Sequence, residues 1–300
     1  EGITDHGHLL ALAAATAGLS PVAALNQRWE GLEGLQRLKA LDDTLDDAGA
    51  LAAFAGRLAQ LHARLRTAPR QLLVVSEAER QAEIANALRS HWQDGPVTAV
   101  APFLLDGPPA PPMHQGFSVN TQVNFCAKAY ATVAPNHPDA PALQVLGDFL
   151  RNGYLHRAIR EQGGAYGGGA GYHPDSGAFR FYSYRDPRLD QTLADFDRAL
   201  DWLQQHEHPA HTLEEAILGV VAAIDKPGSP AGEAISAFFG SLFGRSPEQR
   251  RAYRQRILAV TLADLQRVAA TYLHPERACC AVLSNARTLG ERDGWSVTSI

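Results

Sequence analysis

The sequence predicts an α+β fold, and three observations carry that prediction. Apolar and polar residues alternate from Phe117 to Lys128, the period-two mark of a half-buried strand. A glycine-rich run over residues 163–171 and an aromatic run over residues 177–184 flank His173-Pro-Asp-Ser-Gly177. That arrangement reads as two strands joined by a turn-forming loop. Most of the remaining chain carries helical spacing or helix-capping signals.

Residues 1–92 read as mainly helical. Leu51, Phe54, Leu58, Leu61 and Leu65 are spaced to fall on one helix face. The apolar run over residues 71–76 predicts a short strand, and residues 77–92 another helix. Residues 94–116 are rich in proline and glycine, so they predict a linker rather than regular structure. Beyond the 117–128 strand, helices are predicted over residues 138–152 and on to about 162. Asp186-Pro187 then supplies an N-cap and a first-turn proline ahead of the stripe Leu189, Leu193, Phe196, Leu200 and Leu203. Thr212-x-x-Glu215 and Ser246-Pro-Glu-Gln249 have the form of capping boxes. Residues 261–272 predict a further helix, and residues 278–283 a buried closing strand.

Residues 1–76 and 211–284 share one order, helices followed by a strand. Only the second copy is preceded by strands and a helix. The expected organisation is therefore the back part of a first domain over 1–93, a linker over 94–116, and a complete domain over 117–300. The chain is expected to be a fragment of a longer protein.

Composition narrows the function classes. At 45% hydrophobic and 20% charged residues, the chain has the material for sizeable cores. Its net charge of −5 argues against nucleic acid, whose binders carry a basic stripe. No apolar run approaches the length of a membrane span; residues 9–19 are too few. The three cysteines, Cys126, Cys279 and Cys280, are odd in number, which points to a reducing compartment and to packing as small hydrophobes.

Twelve histidines invite a metal reading, densest at His206, His208 and His211. Neither H-E-x-x-H nor H-x-x-E-H occurs, and Pro209 breaks any helix between them, so a polar interhelical loop fits better. The glycine-rich run lies between a helix and a strand with no lysine after it, which excludes a Walker loop. Arg160 and Tyr166 flank that run. As structural residues they would satisfy helix-end carbonyls and fill a core. As functional ones, Arg160 would bind a substrate carbonyl and Tyr166 would donate to a developing oxyanion. The glycines favour the second reading, since they let another backbone approach closely.

Leu155-His-Arg-Ala-Ile-Arg-Glu-Gln-Gly-Gly-Ala-Tyr-Gly167 and Phe181-Tyr-Ser-Tyr-Arg-Asp-Pro187, with segments 213–230, 243–251 and 257–265, resemble the presequence protease branch of the insulinase (pitrilysin) zinc metallopeptidases. The resemblance is specific over 117–285 and looser over 1–92. It implies a metallopeptidase-type α/β domain, a mostly antiparallel sheet with helices packed on one face. It also implies two halves closing around a chamber, with zinc bound by an N-terminal half through a motif absent here. Catalytic assistance falls on Arg160 and Tyr166, substrate backbone on Gly163, Gly164, Gly167 and Gly168, and this chain binds no metal.

The implied activity is zinc-dependent endoproteolysis of unstructured peptides, with the fragment inactive alone. The implied partners are the N-terminal catalytic half of the same polypeptide and peptide substrates, with neither nucleic acid nor membrane. The expected location is a bacterial cytoplasm or an organelle matrix. The competing reading is a non-catalytic partner subunit or assembly module of the same fold, which would not need the Arg160 and Tyr166 pair.

Overall fold

The computed structural model describes residues 2–69, 71–91, 114–290 and 292–300. Helices α1 (Gly2–Asp5), α2 (Gly7–Thr16), α3 (Pro21–Trp29) and α4 (Leu32–Asp42) come first, then α5 (Ala48–Thr67) and α6 (Ala78–His91). Strands β1 (His114–Ser118) and β2 (Phe125–Ala131) precede α7 (Ala140–Leu150), which runs on into a π-helix over Arg151–Gln162. The hairpin β3 (Gly167–His173) and β4 (Ala178–Tyr184) follows. Next come α8 (Asp190–Gln205), α9 (Ala210–Ile224), α10 (Pro230–Leu242), α11 (Pro247–Leu258) and α12 (Leu262–Tyr272). Strand β5 (Cys279–Ser284), the single turn α13 (Ala286–Leu289) and β6 (Trp295–Ser299) complete the order.

The described residues form two compact units, one of residues 2–37, 114–225 and 252–300, the other of residues 38–91 and 226–251. The first holds one six-stranded sheet in the order β3-β4-β2-β5-β1-β6. Three of its pairings are antiparallel, and β1 runs parallel to both β5 and β6. The period-two rule sorts the core. Cys126, Tyr130, Phe179, Phe181, Cys280 and Val282 face the side on which α7, α8, α9 and α12 pack. Phe117, Phe125, Ala127, Ala129, Ala281 and Leu283 face the other side.

That second side is not left to solvent. Ala11, Leu12, Ala14 and Ala15 of α2, with Leu32 of α4, close over it. Small residues on both surfaces bring helix and sheet close: a Cβ on Gly7 would stand 2.6 Å from the ring of Phe125. Residues 2–37, read from sequence as part of a separate first domain, therefore share the core of the main sheet. The predicted linker lies outside the described residues up to 113, and His114 to Gly116 already belong to β1.

The single strand predicted over 117–128 is two strands. The hydroxyl of Thr121 accepts from the Val123 N–H and turns the chain between them. The reversal puts β1 and β2 on opposite edges of β5, one parallel and one antiparallel. Strand β2 is buried on both faces rather than one, because α2 covers the second. The Ser246 capping box forms, its hydroxyl accepting from Gln249 N–H and the Gln249 amide oxygen from Ser246 N–H. Thr212 does not cap. Helix α9 opens earlier, after Pro209, whose fixed φ of −59° sets the chain direction at that end.

In the second unit, α5 forms with Asp47 as its N-cap, accepting from Ala50 N–H at 2.8 Å. Its predicted apolar stripe is on one face, but Leu51, Leu58, Leu61 and Leu65 are each half exposed or more. The strand predicted over 71–76 is absent. Leu72, Leu73, Val74 and Val75 are exposed and pair with no described strand, and a strand without a neighbour leaves its peptide groups to water.

Candidate functional site

Helix α7 and its π-helical continuation hold the site from below. Leu155 and Ile159 are fully buried, so Arg160, on the next position, is carried out to solvent. π-Helical winding is rare and tends to occur at functional sites. The last turn closes through Gly164, whose φ of +79° only glycine adopts without strain. Its N–H donates to the Arg160 carbonyl at 3.0 Å, and the Ala165 N–H donates to the Ile159 carbonyl at 3.1 Å. Ala165 is buried, which pins the turn between Arg160 and Tyr166. Both side chains thus stand exposed at the two ends of one anchored turn.

Tyr166 precedes β3 and is 68% exposed. Its N–H donates to the Tyr184 carbonyl at 3.0 Å and more weakly to the Arg185 carbonyl at 3.4 Å. The Tyr166 ring rests edge-on against Tyr184, with centroids 5.5 Å apart. Tyr184 in turn meets His8 of α2 at 4.6 Å, and the Arg185 guanidinium lies 5.3 Å from its ring centroid. Burial, then the neighbouring His6, holds the His8 imidazole below the usual histidine range. Arg185 has a φ of +50°, the one non-glycine residue in the left-handed region among those described. Sequence reasoning placed Tyr184 in a predicted strand and gave Arg185 no role of its own. The strained arginine carries no sequence mark at all.

The glycines divide by purpose. A Cβ on Gly163 would collide with the Arg188 guanidinium, and one on Gly168 would stand 2.6 Å from Ile159 Cγ2. Gly164 is needed for its backbone angle. These three have internal reasons to be glycine, contrary to the expectation that a structural strand gains nothing from them. Gly167 is different: a Cβ there meets nothing within 4 Å. Of the four glycines assigned to substrate, Gly167 alone opens onto free space.

Beneath the turn lies a polar brace. Asp186 is fully buried, and accepts from the Thr192 hydroxyl at 2.7 Å and from Arg188 N–H at 2.9 Å. Burial pushes its carboxyl above the usual range, against those hydrogen bonds. Asp186 is thus not the N-cap of α8, which starts at Asp190. Its side chain closes the Arg188 turn instead. Arg188 donates to the Ala158 carbonyl at 3.1 Å and pairs with Asp195 at 3.1 Å, tying the helix that bears Arg160 to α8.

No group of three or more His, Cys, Asp or Glu side chains among the described residues could hold a metal ion. His208 packs against Trp202 and Phe149, and its Nε2 lies 3.1 Å from the Leu203 carbonyl. The three cysteines are buried and form no disulfide, and burial pushes the Cys126 thiol up and the Cys280 thiol up to about 11. No helix among the described residues is long and apolar enough to cross a membrane.

Comparison with known proteins agrees with this anatomy. Residues 114–278 match the family model described as the PreP C-terminal domain. The mitochondrial presequence protease of Kluyveromyces lactis is 31% identical over 292 residues, which cover 94% of this chain and 29% of that protein. That of Drosophila melanogaster is 41% identical over 167 residues, 55% of this chain and 16% of that protein. The chain thus spans less than a third of the length of these curated relatives. The crystal structure of pitrilysin shares the fold, with a TM-score of 0.51 at 12% identity, over 74% of this chain and 25% of that one. Since the family model matches more than half of its residues, the chain belongs to the PreP C-terminal domain family.

Proposed function

We propose that this chain is the substrate-binding C-terminal half of a zinc metalloendopeptidase that degrades unstructured peptides in a closed chamber. The observation that carries the reading is the anchored turn. It holds Arg160 and Tyr166 exposed at its two ends, anchored by the buried Leu155, Ile159 and Ala165. Family membership and relatives named as presequence proteases support it. Among the described residues no group of His, Cys, Asp or Glu suits zinc, and this reading assigns the metal to the N-terminal half of the same polypeptide. The work of this chain is to bind and orient. Arg160 donates to a substrate carbonyl, and the Tyr166 hydroxyl donates to the oxygen on which negative charge develops. Gly167 leaves the path to that pair open.

The test is reconstitution. The isolated chain is expected to cleave no unstructured peptide even with added zinc, and to restore cleavage when combined with the N-terminal half. Chelator-sensitive cleavage by the isolated chain would overturn the assignment of the metal to the other half. Failure of the combined halves, with both folded and zinc bound, would favour a non-catalytic partner.

A further inference from the structure

Arg180 lies near the middle of β4, on the face covered by α2. Its partners in register are Ala129 on β2 and Gly171 on β3, so neither neighbour offers a side chain to cover or pair with it. A Cβ on Gly171 would meet nothing within 4 Å, so open space flanks the guanidinium. Several other arginines of this unit are paired, among them Arg188 with Asp195, Arg254 with Asp225, Arg267 with Asp139 and Arg292 with Asp190. Arg180 makes no ion pair or side-chain hydrogen bond with any described residue. It is half-buried all the same, and burial pulls it down to about 10. A desolvated cation without a partner costs stability, and proteins retain one where a ligand supplies the counter-charge.

Arg180 lines a cavity of about 700 Å³ between α1–α4 and the end of the β3–β4 hairpin. Its walls are largely apolar, from Ile3, Leu10 and Leu12, with His173 and Ser176 beside Arg180. The acid on the rim, Glu30, is exposed and forms no ion pair with Arg180. An apolar chamber of this size with a few convergent polar groups is the usual form of a ligand site. One half-buried cation in such walls selects an anion attached to an apolar body.

We propose that this cavity binds the C-terminal carboxylate of a peptide whose last residue is apolar, with Arg180 as its counter-charge. The peptide identity rests on the function proposed above, and the strand register agrees with it. Gly167, beside Tyr166, pairs with Tyr184, whereas Gly171 pairs with Arg180. Four residues of extended chain, about 13 Å, separate the two positions. A peptide end held at Arg180 would run back toward the turn that bears Tyr166.

The experiment measures binding rather than cleavage, by fluorescence polarisation of a labelled unstructured decapeptide ending in leucine. The 300-residue chain is titrated against the free acid and the C-terminal amide. Amidation and Arg180→Gln are each expected to weaken binding about tenfold or more, with no further loss when combined. Arg180→Gln is also expected to melt at the same temperature as the parent or higher, because it removes an unpaired, half-buried charge. Equal binding of acid and amide would overturn the carboxylate site while leaving peptide binding intact. Absence of binding by either peptide in every variant would overturn the peptide reading and this proposal together. Arg180-dependent displacement by octanoate but not by unlabelled peptide would give the cavity to free fatty acids and overturn the peptide assignment. A marked fall in melting temperature for Arg180→Gln would make the arginine structural.

Discussion

The phenol of Tyr166 stands edge-on to the ring of Tyr184, centroids 5.5 Å apart and planes at 85°. The same two residues share a backbone hydrogen bond of 3.0 Å, so ring and main chain are fixed by one partner. Tyr184 thereby positions Tyr166, and the two residues should fail differently. In the full-length enzyme, Tyr166→Phe keeps the edge contact and removes only the hydroxyl. It is expected to lower kcat by roughly tenfold or more with little change in KM, the pattern of a lost transition-state donor. Tyr184→Leu keeps the hydroxyl and removes its support, so kcat should fall less and the melting temperature more. Unchanged kcat/KM in Tyr166→Phe would return Tyr166 to a packing role.

The glycines of the turn separate backbone need from open space. Gly164→Ala places a side chain at φ +79° and should cost about 1–2 kcal/mol, read as a lower denaturation midpoint. Gly168→Ala presses on buried Ile159 and should also destabilise. Gly167→Ala meets nothing and should leave stability unchanged while raising KM for peptides in the full-length enzyme. If Gly167→Ala left KM unchanged, substrate would not pass over that strand.

Much of this was legible in the sequence, for identifiable reasons. The hairpin was marked by a glycine-rich arm, an aromatic arm and the turn-forming loop between them, which ends at Gly177, whose φ is +58°. The position of Arg160 and Tyr166 on either side of one turn was legible because a helix stop and a strand start bracket them. The division of residues 117–128 was not, since the alternation runs unbroken through a turn that Thr121 makes with its own side chain. Nor was the second cover of the sheet: α2 is apolar nearly all round, so its residues mark no single buried face. For the same reason Arg180, flanked by Phe179 and Phe181, reads as an outward-facing strand charge. It is half-buried because helices and the hairpin end wall the cavity it lines.

Acid should loosen the contact between α7 and α12. Asp139 accepts from Arg267 Nη2 at 2.8 Å and from the Tyr272 hydroxyl at 2.7 Å. The Arg267 hydrogen bond is the main reason that its carboxyl lies below the usual range. In the acid range the unfolded chain therefore binds more protons here than the folded one, and stability rises with pH. The contribution is complete above the ordinary carboxylate value of about 4 and is lost as pH falls through the lower folded value. Asp139→Asn should be less stable than the parent at pH 7, with the gap closing toward pH 3. Denaturant titrations at the two pH values check this, and a constant gap would remove Asp139 as the source.

The Lys128–Asp197 pair should break asymmetrically. Lys128 Nζ lies 2.7 and 2.8 Å from the two oxygens of Asp197, with the lysine side chain 7% exposed and the aspartate 35%. Removing either partner strands the other, and the cost depends on whether water can reach what remains. Lys128→Met leaves a carboxylate that solvent already touches, and the methionine fills the apolar path of the lysine stem, so the loss should be modest. Asp197→Ala leaves an ammonium buried beside Tyr130 and Cys280, and should cost about 3 kcal/mol. The double variant, with no charge left to desolvate, should recover most of that. Equal losses in the two single variants would mean that Lys128 is better hydrated than its burial implies.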